Sequence, residues 1–159
     1  MAFPQRTKPL PNKLDLEETE KAYLAGLIDG EGTICVNVRR PGPERRTSRP
    51  QFVLQIAIGM CDRNLIETLY RRVGIGTFHK GTLQNPKHRT IWFWRLLAED
   101  GDLFLRTITP YLILKRRQAE LFMEMVALRR KSTNSYAHEV ERQVTITEEL
   151  RVLNKRGAA

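Results

Sequence analysis

The most informative part of the sequence is Tyr23-Leu24-Ala25-Gly26-Leu27-Ile28-Asp29-Gly30-Glu31-Gly32. It is an almost wholly apolar helical segment that ends in two acids set among three glycines. The partial negative charge at the C-terminal end of a helix repels Asp29 and Glu31, and unpaired carbonyl oxygens crowd the same place. A hard divalent cation such as Mg²⁺, which binds oxygen ligands, makes such a cluster favourable. The stretch therefore predicts a helix end that holds a metal ion.

The helix that carries this stretch is predicted over about residues 16–28. Asp15 and, three residues later, Glu18 indicate a variant capping box at its start. The second half of the helix is apolar nearly all round, which requires burial on more than one side. Ala22 and Gly26, four residues apart on one face, allow another backbone to approach closely. Because the chain holds no second copy of the stretch, the predicted partner is the same helix of a second subunit across a two-fold axis.

Length and charge bound the class of protein. A chain of 159 residues with 41% hydrophobic residues is expected to form one domain with a sizeable core. Its 27 Lys and Arg against 18 Asp and Glu leave a net charge of +9. This excess favours a polyanionic partner, with nucleic acid ahead of a membrane surface. A basic protein without such a partner remains the alternative.

The expected location is intracellular, in an organelle (chloroplast or mitochondrion) or a prokaryotic cytoplasm. Cys35 and Cys61 have no disulfide-framework or zinc-site spacing, which fits a reducing compartment. No apolar run approaches the roughly 20 residues of a membrane span, and no signal peptide is predicted. Residues 1–14 are predicted to be a flexible basic arm, either solvated or in contact with DNA. Residues 15–155 are predicted to form the domain, and 156–159 a tail.

Two strands are predicted after Gly32, where the hydrophobic period changes to two. A long basic turn at 40–50 separates them. Ala57 is predicted to point outward from the second strand. The inward residues are Ile34, Val36 and Val38 in the first strand and Phe52, Leu54, Ile56 and Ile58 in the second.

The following helix is predicted to begin after the N-cap residue Asp62 and to end at Gly74 and Gly76. In the last strand Trp92 and Trp94 are predicted inward, with Arg89, Ile91, Phe93 and Arg95 on the other face. The remaining elements are expected as strands at 77–79 and 90–97 and helices at 101–109, 116–130 and 138–154.

This order of elements indicates an α+β fold with one antiparallel sheet that is covered by helices on one face. The other face carries Thr, Asn, Gln, Arg and His, a mixed set of donors and acceptors that suits the edges of DNA bases. A simply solvated face is the alternative reading of the same pattern.

The residues from Leu24 to Gly32 resemble the signature of the LAGLIDADG homing endonucleases, which mobile introns and inteins encode. The stretch departs from that signature at Gly30, where Ala is usual, and at Glu31, where Asp is usual. The resemblance extends over roughly residues 15–155 and implies the family's αββαββα fold, in which the antiparallel sheet forms a DNA-binding saddle. A second acidic stretch, Glu99-Asp100-Gly101-Asp102, opens a helix and is interpreted as an N-cap turn. A single signature implies a homodimer.

The resemblance also implies roles for individual residues. Two copies of Glu31, one from each subunit, are expected to bind Mg²⁺ with the main-chain carbonyl of Gly30, and Mn²⁺ is expected to substitute. Asp29 is expected to be a structural hydrogen-bond acceptor rather than a ligand. Lys115 resembles the lysine beside the family's active site, although a surface lysine at a helix start is the alternative. The family's polar, water-organising position aligns with Met60, which cannot perform that role. Either the alignment shifts by one residue, or the water is held otherwise, for example by Asp62, Arg63 or Asn64.

The leading prediction is an intron-encoded, Mg²⁺-dependent endonuclease that cuts both DNA strands of a long pseudo-palindromic site to leave 3′ overhangs. One alternative is an RNA-binding maturase that acts on its host intron RNA. Another is a DNA-binding regulator on the same fold that does not cut. DNA is expected to lie across the open sheet faces, where the predicted contacts are Thr33, Asn37, Arg39, Gln51, Gln55, His79, Arg89 and Arg95.

Overall fold

The computed structural model describes residues 9–39, 51–82, 89–131 and 136–155. The basic turn at 40–50 and most of the N-terminal arm lie outside these residues. The described elements are α1 (Glu18–Glu31), β1 (Gly32–Arg39), β2 (Gln51–Met60), α2 (Arg63–Val73), β3 (Thr77–Lys80), β4 (Trp92–Leu97), α3 (Ala98–Ile108), a 3₁₀ turn (Thr109–Tyr111), α4 (Arg116–Lys131) and α5 (Tyr136–Leu153). None of the described helices is long and apolar enough to cross a membrane.

The four strands form one sheet in the order β1-β2-β4-β3, and every neighbouring pair is antiparallel. Gly32 at the start of β1 lies opposite Ile58 near the end of β2, and Arg39 lies opposite Gln51. The end of β2 therefore lies beside the end of α1. The α+β class and the antiparallel sheet predicted from the sequence are confirmed.

One face of the sheet supports the hydrophobic core, as the two-residue period predicted. Ile34, Leu54, Ile56 and Ile58 are at most 1% exposed and pack with residues from the helices. Trp94 is equally buried, and its indole N–H donates to the carbonyl of Ile75 at 2.9 Å, which satisfies the polar end of the ring. The core thus fixes which sheet face stays open.

The open face differs from the prediction at Ala57, which is only 9% exposed. The register places Ala57 in a row across the sheet between Thr33 on one side and Arg95 on the other. A methyl group between two longer side chains is covered by them even on a face that no helix covers. The side chain of Ala57 points outward, as predicted, but its neighbours cover it.

Helix α1 begins later and ends later than the predicted range of 16–28. Its N-cap residue is Glu17, whose backbone N–H donates to Glu20 at 2.8 Å, so the predicted box of Asp15 and Glu18 is wrong. Leu14 and Leu16 are buried before the helix starts, which holds the chain extended there and delays the first turn. At its other end the helix continues through both acids to Glu31.

The N-cap of α2 and its end are confirmed. The Leu65 N–H donates to Asp62 Oδ1 at 2.9 Å, and Gly74 ends the helix in the left-handed conformation at φ 75°. Helices α3, α4 and α5 begin or end within three residues of the predicted ranges.

The acidic stretch at Glu99–Asp102 does not form the predicted N-cap turn. The N-cap residue is Leu97, because β4 passes directly into α3, so the acids lie in the first helical turn. Asp100 accepts a hydrogen bond from the Gly76 N–H at 3.0 Å. Asp102, only 3% exposed, pairs with Arg106 and with Arg130. Asp100 therefore joins α3 to the turn before β3, and Asp102 joins α3 to α4.

Candidate active site and nucleic-acid interface

The carboxylate of Asp29 is fully engaged by backbone groups from a distant part of the chain. Its Oδ2 accepts from the Ile113 N–H and its Oδ1 from the Lys115 N–H, both at 2.8 Å. These donors lie in the segment between the 3₁₀ turn and α4. Asp29 thus connects the last turn of α1 to the start of α4.

The ammonium group of Lys115 completes the same connection. Its Nζ donates to the carbonyl oxygens of Ile28 at 2.8 Å and Asp29 at 2.7 Å. Burial lowers the pKa of Lys115, and the negative charges of Asp29 and Glu31 oppose that shift. A cation at the negative end of α1 offsets the repulsion between the helix dipole and its terminal acids.

Gly32 allows the chain to turn from α1 into β1. Its N–H donates to the carbonyl of Ile28, and a Cβ at this position would lie 2.8 Å from the Ile28 Cα. No side chain fits at that separation. This close turn fixes Glu31 at the junction of helix and strand.

Glu31 differs from Asp29 in having an exposed carboxylate that makes no hydrogen bond or ion pair with any described residue. Gly30 beside it is also exposed. At the end of α1 the oxygens of Asp29 are used by the fold, and those of Glu31 are not.

Glu31 lies in the wall of a cleft of about 370 Å³ where α1, β1, α4 and α5 meet. The sequence predicted Lys115 and Glu31 here but missed three polar residues: Gln118, Asn154 and Lys155. Asn154 donates to the carbonyl of Ile34 at 2.8 Å and so fixes the end of α5 to β1. The cleft is lined by Gly30, Glu31, Gly32, Thr33, Lys115, Gln118, Leu153, Asn154 and Lys155.

Only Gln118 carried a local signal for this placement. It follows Lys115 by three residues, which puts the two near one face of a helix start. Asn154 and Lys155 reach the cleft through a contact across 120 residues, and no sequence period encodes that distance.

The donors at the end of α1 suit a hard cation, but one chain supplies only part of a coordination sphere. Glu31 offers a carboxylate and Gly30 a main-chain carbonyl, which are the oxygen ligands that Mg²⁺ prefers. Within the part of the chain that the structure describes, no group of three or more His, Cys, Asp or Glu residues could hold a metal ion. Further oxygens from water, from a phosphate or from a second subunit are needed.

The outward face of α1 is open. Ala22, Gly26 and Gly30 are exposed, and Tyr23 is 53% exposed. A Cβ placed on Gly26 or Gly30 would meet no described atom within 4 Å. The face predicted to pack on a second subunit is therefore available for such a contact.

Most of the predicted DNA contacts lie on the open sheet face. Thr33, Asn37 and Arg39 of β1 are exposed, and Gln51 lies opposite Arg39. Gln55 of β2 is half-buried on the same face.

His79 and Arg95 form a second group on this face. Both are half-buried, and the ring of His79 stacks on Phe93 with centroids 5.5 Å apart. Burial, together with the positive charge of Arg95, lowers the pKa of His79. The Nε of Arg95 is buried and has no hydrogen-bond partner among the described residues. The positive charge of Arg95 also acts on Cys35, so it contributes to the field at this face of the sheet.

Arg89 and Met60 lie elsewhere. Arg89 precedes β4, which begins only at Trp92, so the prediction that Arg89 shares a strand face is wrong. It lines a separate cleft of about 520 Å³ with Cys61, Asp62, Thr90 and Trp92. Met60 is half-buried against the core and does not line the cleft of Glu31.

No protein-family model and no curated protein matches this chain. Solved structures do match. The homing endonuclease I-CvuI, in complex with the I-CreI target in the presence of 2 mM Mg with the DNA not cleaved, is 17% identical, with a TM-score of 0.72 over 88% of this chain and 84% of that one. The archaeal intron-encoded homing endonuclease I-Vdi141I, complexed with DNA, is 18% identical, with a TM-score of 0.73 over 88% and 87%.

A third similar structure is the LAGLIDADG meganuclease I-AabMI bound to uncleaved DNA. It is 22% identical, with a TM-score of 0.59 over 80% of this chain but 43% of that one. At these identities the likeness shows the fold. The chain has the fold of the LAGLIDADG homing endonucleases, as the resemblance of the segment ending in Gly32 implied.

Proposed function

We propose that this protein is a site-specific DNA endonuclease that acts as a homodimer with a divalent cation and cuts both strands. One observation carries the proposal: the exposed carboxylate of Glu31 makes no hydrogen bond or ion pair with a described residue, whereas Asp29 and Lys115 both make hydrogen bonds with the chain's own backbone. This carboxylate lies where the helix meets an open, basic sheet face. Three similar folds were solved with DNA bound.

The reaction is hydrolysis of a phosphodiester bond. A water oxygen forms a bond to phosphorus and the bond from phosphorus to the 3′ oxygen breaks. One water proton is released and the 3′ oxygen gains one, which leaves a 3′-hydroxyl and a 5′-phosphate. Lys115 places positive charge beside the developing negative charge, which favours the transition state. Asp29 holds Lys115 and the start of α4 in place.

Glu31 and the carbonyl of Gly30 are the groups that would hold the cation, with Mg²⁺ as the proposed ion and Mn²⁺ as a substitute. When bound, such an ion neutralises phosphate charge and lowers the pKa of a coordinated water. Because Glu31 and Gly30 are the two such donors that the described residues supply at the end of α1, the full site requires a second copy and the DNA itself.

The open face of α1 supports the homodimer. Gly26 and Gly30 leave space for a second helix, and Tyr23 offers an exposed ring at the edge of that face. The chain also aligns with only 43% of I-AabMI, so it corresponds to less than half of that protein. Two copies related by a two-fold axis recognise a pseudo-palindromic site.

Recognition of the site is assigned to the open sheet face. Arg39 and Arg95 are suited to guanine and Gln51 or Gln55 to adenine, with about 1–3 kcal/mol of discrimination for each good bidentate pair. If six to ten phosphates are contacted, the log–log dependence of binding on salt has a slope of roughly −5 to −9.

The origin in an intron and the 3′ overhangs are further parts of the proposal. I-Vdi141I, which has the same fold, is intron-encoded. Sequencing of the ends of a cleaved plasmid measures the overhang directly, and the DNA that flanks the reading frame shows whether it interrupts a gene.

The decisive experiment incubates the protein with a plasmid library of candidate sites over a range of Mg²⁺ and Mn²⁺ concentrations extending well above 2 mM, where DNA bound to I-CvuI was not cleaved. Linear product from wild type but not from Glu31→Gln supports the endonuclease. Tight, specific binding with no nick under any condition contradicts it and favours a DNA-binding regulator. Binding to intron RNA alone favours a maturase.

A further inference from the structure

The side chain of Gln118 differs from the other buried polar side chains. Three polar or charged residues are buried among residues 9–39, 51–82, 89–131 and 136–155: Asp102, Gln118 and Thr147. Asp102 pairs with two arginines, and the Thr147 hydroxyl donates to the carbonyl of Gln143 at 2.7 Å. Gln118, 7% exposed, makes no hydrogen bond with its side chain inside those ranges. The side-chain N and O atoms that are both buried and unpaired among the described residues are Arg95 Nε and Asp102 Oδ1. The unpaired amide of Gln118 therefore reaches the solvent of the cleft, where it is available to a partner from outside the fold.

The position of Gln118 indicates where that partner comes from. Gln118 lies in the first turn of α4 and lines the same cleft as Glu31 and Lys115. Three charged residues also line this cleft: Glu31, Lys115 and Lys155. Together they suit a phosphate group and the water that attacks it. The small part of Gln118 that remains exposed therefore opens toward the proposed cutting centre.

The amide of Gln118 can do what the charged side chains of this cleft cannot. Its carbonyl oxygen accepts a hydrogen bond and its NH₂ group donates two, so it can hold a water and a phosphate oxygen at once. It carries no charge and does not compete with Glu31 for a cation. Met60 lies at the strand position where the family resemblance implies a water-organising polar residue, and it packs against the core instead.

We propose that Gln118 is a positioning residue of the cutting centre, whose amide orients the attacking water in the cleft of Glu31 and Lys115. This inference rests on the proposed endonuclease function. Replacement by an apolar residue of the same length removes the orientation of the water but leaves the fold and the DNA-binding face intact. Catalysis then falls while DNA affinity does not.

The test compares Gln118→Met with Gln143→Met, the same substitution in α5 at a half-buried position outside the cleft. On a site that wild type cuts, Gln118→Met is expected to lower the single-turnover rate by about 10²-fold. The Kd for DNA in the absence of cleavage stays within about threefold, and the thermal midpoint stays level because no hydrogen bond to a described residue is removed. Gln143→Met is expected to cut at the wild-type rate.

A second variant, Gln118→Glu, reports the role through pH. Its protonated carboxylic acid donates and accepts as the amide does, whereas its carboxylate only accepts. The rate of Gln118→Glu relative to wild type is therefore expected to rise as pH falls through the pKa of the new carboxyl group. Gln143→Glu, the same substitution outside the cleft, is the control and is expected to give no such change in the ratio. A rate of Gln118→Glu that stays below that of Gln118→Met at low pH would contradict the role of the amide.

The outcomes separate the two proposals. If wild type and Gln118→Met cut at similar rates, or if Gln118→Met lowers the thermal midpoint and DNA affinity as much as it lowers the rate, the role of Gln118 is wrong and the endonuclease stands. If wild type binds DNA but never cuts, the endonuclease proposal fails and this inference fails with it.

Discussion

The two faces of α1 are built for different partners. On the inner face Leu24, Ala25 and Ile28 are at most 2% exposed, and both oxygens of Asp29 accept hydrogen bonds from the chain's own backbone. On the outer face a Cβ on Gly26 would meet no described atom within 4 Å. Glu31 makes no hydrogen bond or ion pair with a described residue. The inner face therefore serves folding, and the outer face is complete only with molecules that the chain does not supply. Two acids that are two residues apart fall on opposite sides of this division.

The largest expected effect that tests this division is that of Glu31→Gln on cleavage. Loss of a charged ligand from the cutting centre is expected to lower the single-turnover rate on the order of 10³-fold or more. Because the carboxylate makes no hydrogen bond or ion pair with a described residue, the thermal midpoint is expected to change by no more than about 2 °C. Plasmid cleavage and thermal denaturation measure the two quantities on one preparation. Near-normal cutting by this variant would remove Glu31 from the chemistry.

The converse effect is expected for Asp29→Asn. The amide keeps one acceptor oxygen and turns its NH₂ group toward a backbone N–H, so one of the two hydrogen bonds is lost and a donor is left unpaired. We expect the free energy of unfolding to fall by about 2–4 kcal/mol in denaturant titrations. Glu31→Gln is the matched control, since it makes the same chemical change two residues away. Equal stabilities for the two variants would contradict the division between the faces.

Dimer formation tests the outer face of α1 separately from the fold of the subunit. Gly26→Leu is expected to raise the dimer dissociation constant at least about tenfold, because the side chain fills the space where a second helix approaches. The fold of each subunit is expected to persist, since Leu is a better helix former than Gly, which costs about 0.8–1 kcal/mol relative to Ala. Analytical ultracentrifugation over a range of concentrations measures the dissociation constant.

Gly32→Ala is the control for Gly26→Leu, because Gly32 faces the chain's own backbone and Gly26 does not. Its Cβ would lie 2.8 Å from Ile28 backbone atoms, so it is expected to lower the free energy of unfolding by about 1–3 kcal/mol. A Gly26→Leu protein that remains dimeric and active would show that the outer face of α1 is not the subunit contact.

The smallest expected effect concerns the open face of the sheet, where Cys35 is compared with Cys61, which follows the end of β2. Cys35 is half-buried on the open face and burial raises the pKa of its thiol, so its reactive thiolate is scarce near neutral pH. We expect Cys35 to react with a thiol reagent several-fold more slowly than the exposed Cys61, to speed up as pH rises, and to be slowed further by bound DNA. Rates in Cys61→Ser and Cys35→Ser variants assign each thiol. No protection of Cys35 by DNA would place the DNA elsewhere.

The sequence predicted the elements whose signals are local. Alternation identified both faces of β1 and β2, and Asp62 with Gly74 marked the ends of α2. The start of α1 was misplaced because Leu14 and Leu16 are buried by the tertiary fold before the helix begins. Two possible capping boxes of similar chemistry competed there, and packing rather than propensity selected Glu17.

The cleft was predictable only in part for a related reason. The acids of α1 could be identified from the sequence because they lie at the negative end of the helix dipole. Lys115 could be identified by the family resemblance. The engagement of both Asp29 oxygens could not be found, because the donors are backbone groups more than 80 residues away. Gln118 was missed because an unpaired amide is visible only when its surroundings are known.

The hydrogen bonds from Ile113 and Lys115 to Asp29 also set an order of assembly during synthesis. The chain grows from its N-terminus, so α1 leaves the ribosome before the segment 84 to 86 residues later that completes its end. Until that segment follows, the terminal carbonyls of α1 lack their ammonium partner and the wall that carries Gln118 does not exist. A chain that stops early can contain the whole sequence from Tyr23 to Gly32 without forming the cleft. Under the proposed endonuclease function, incomplete translation products would therefore not cut the genome that encodes them.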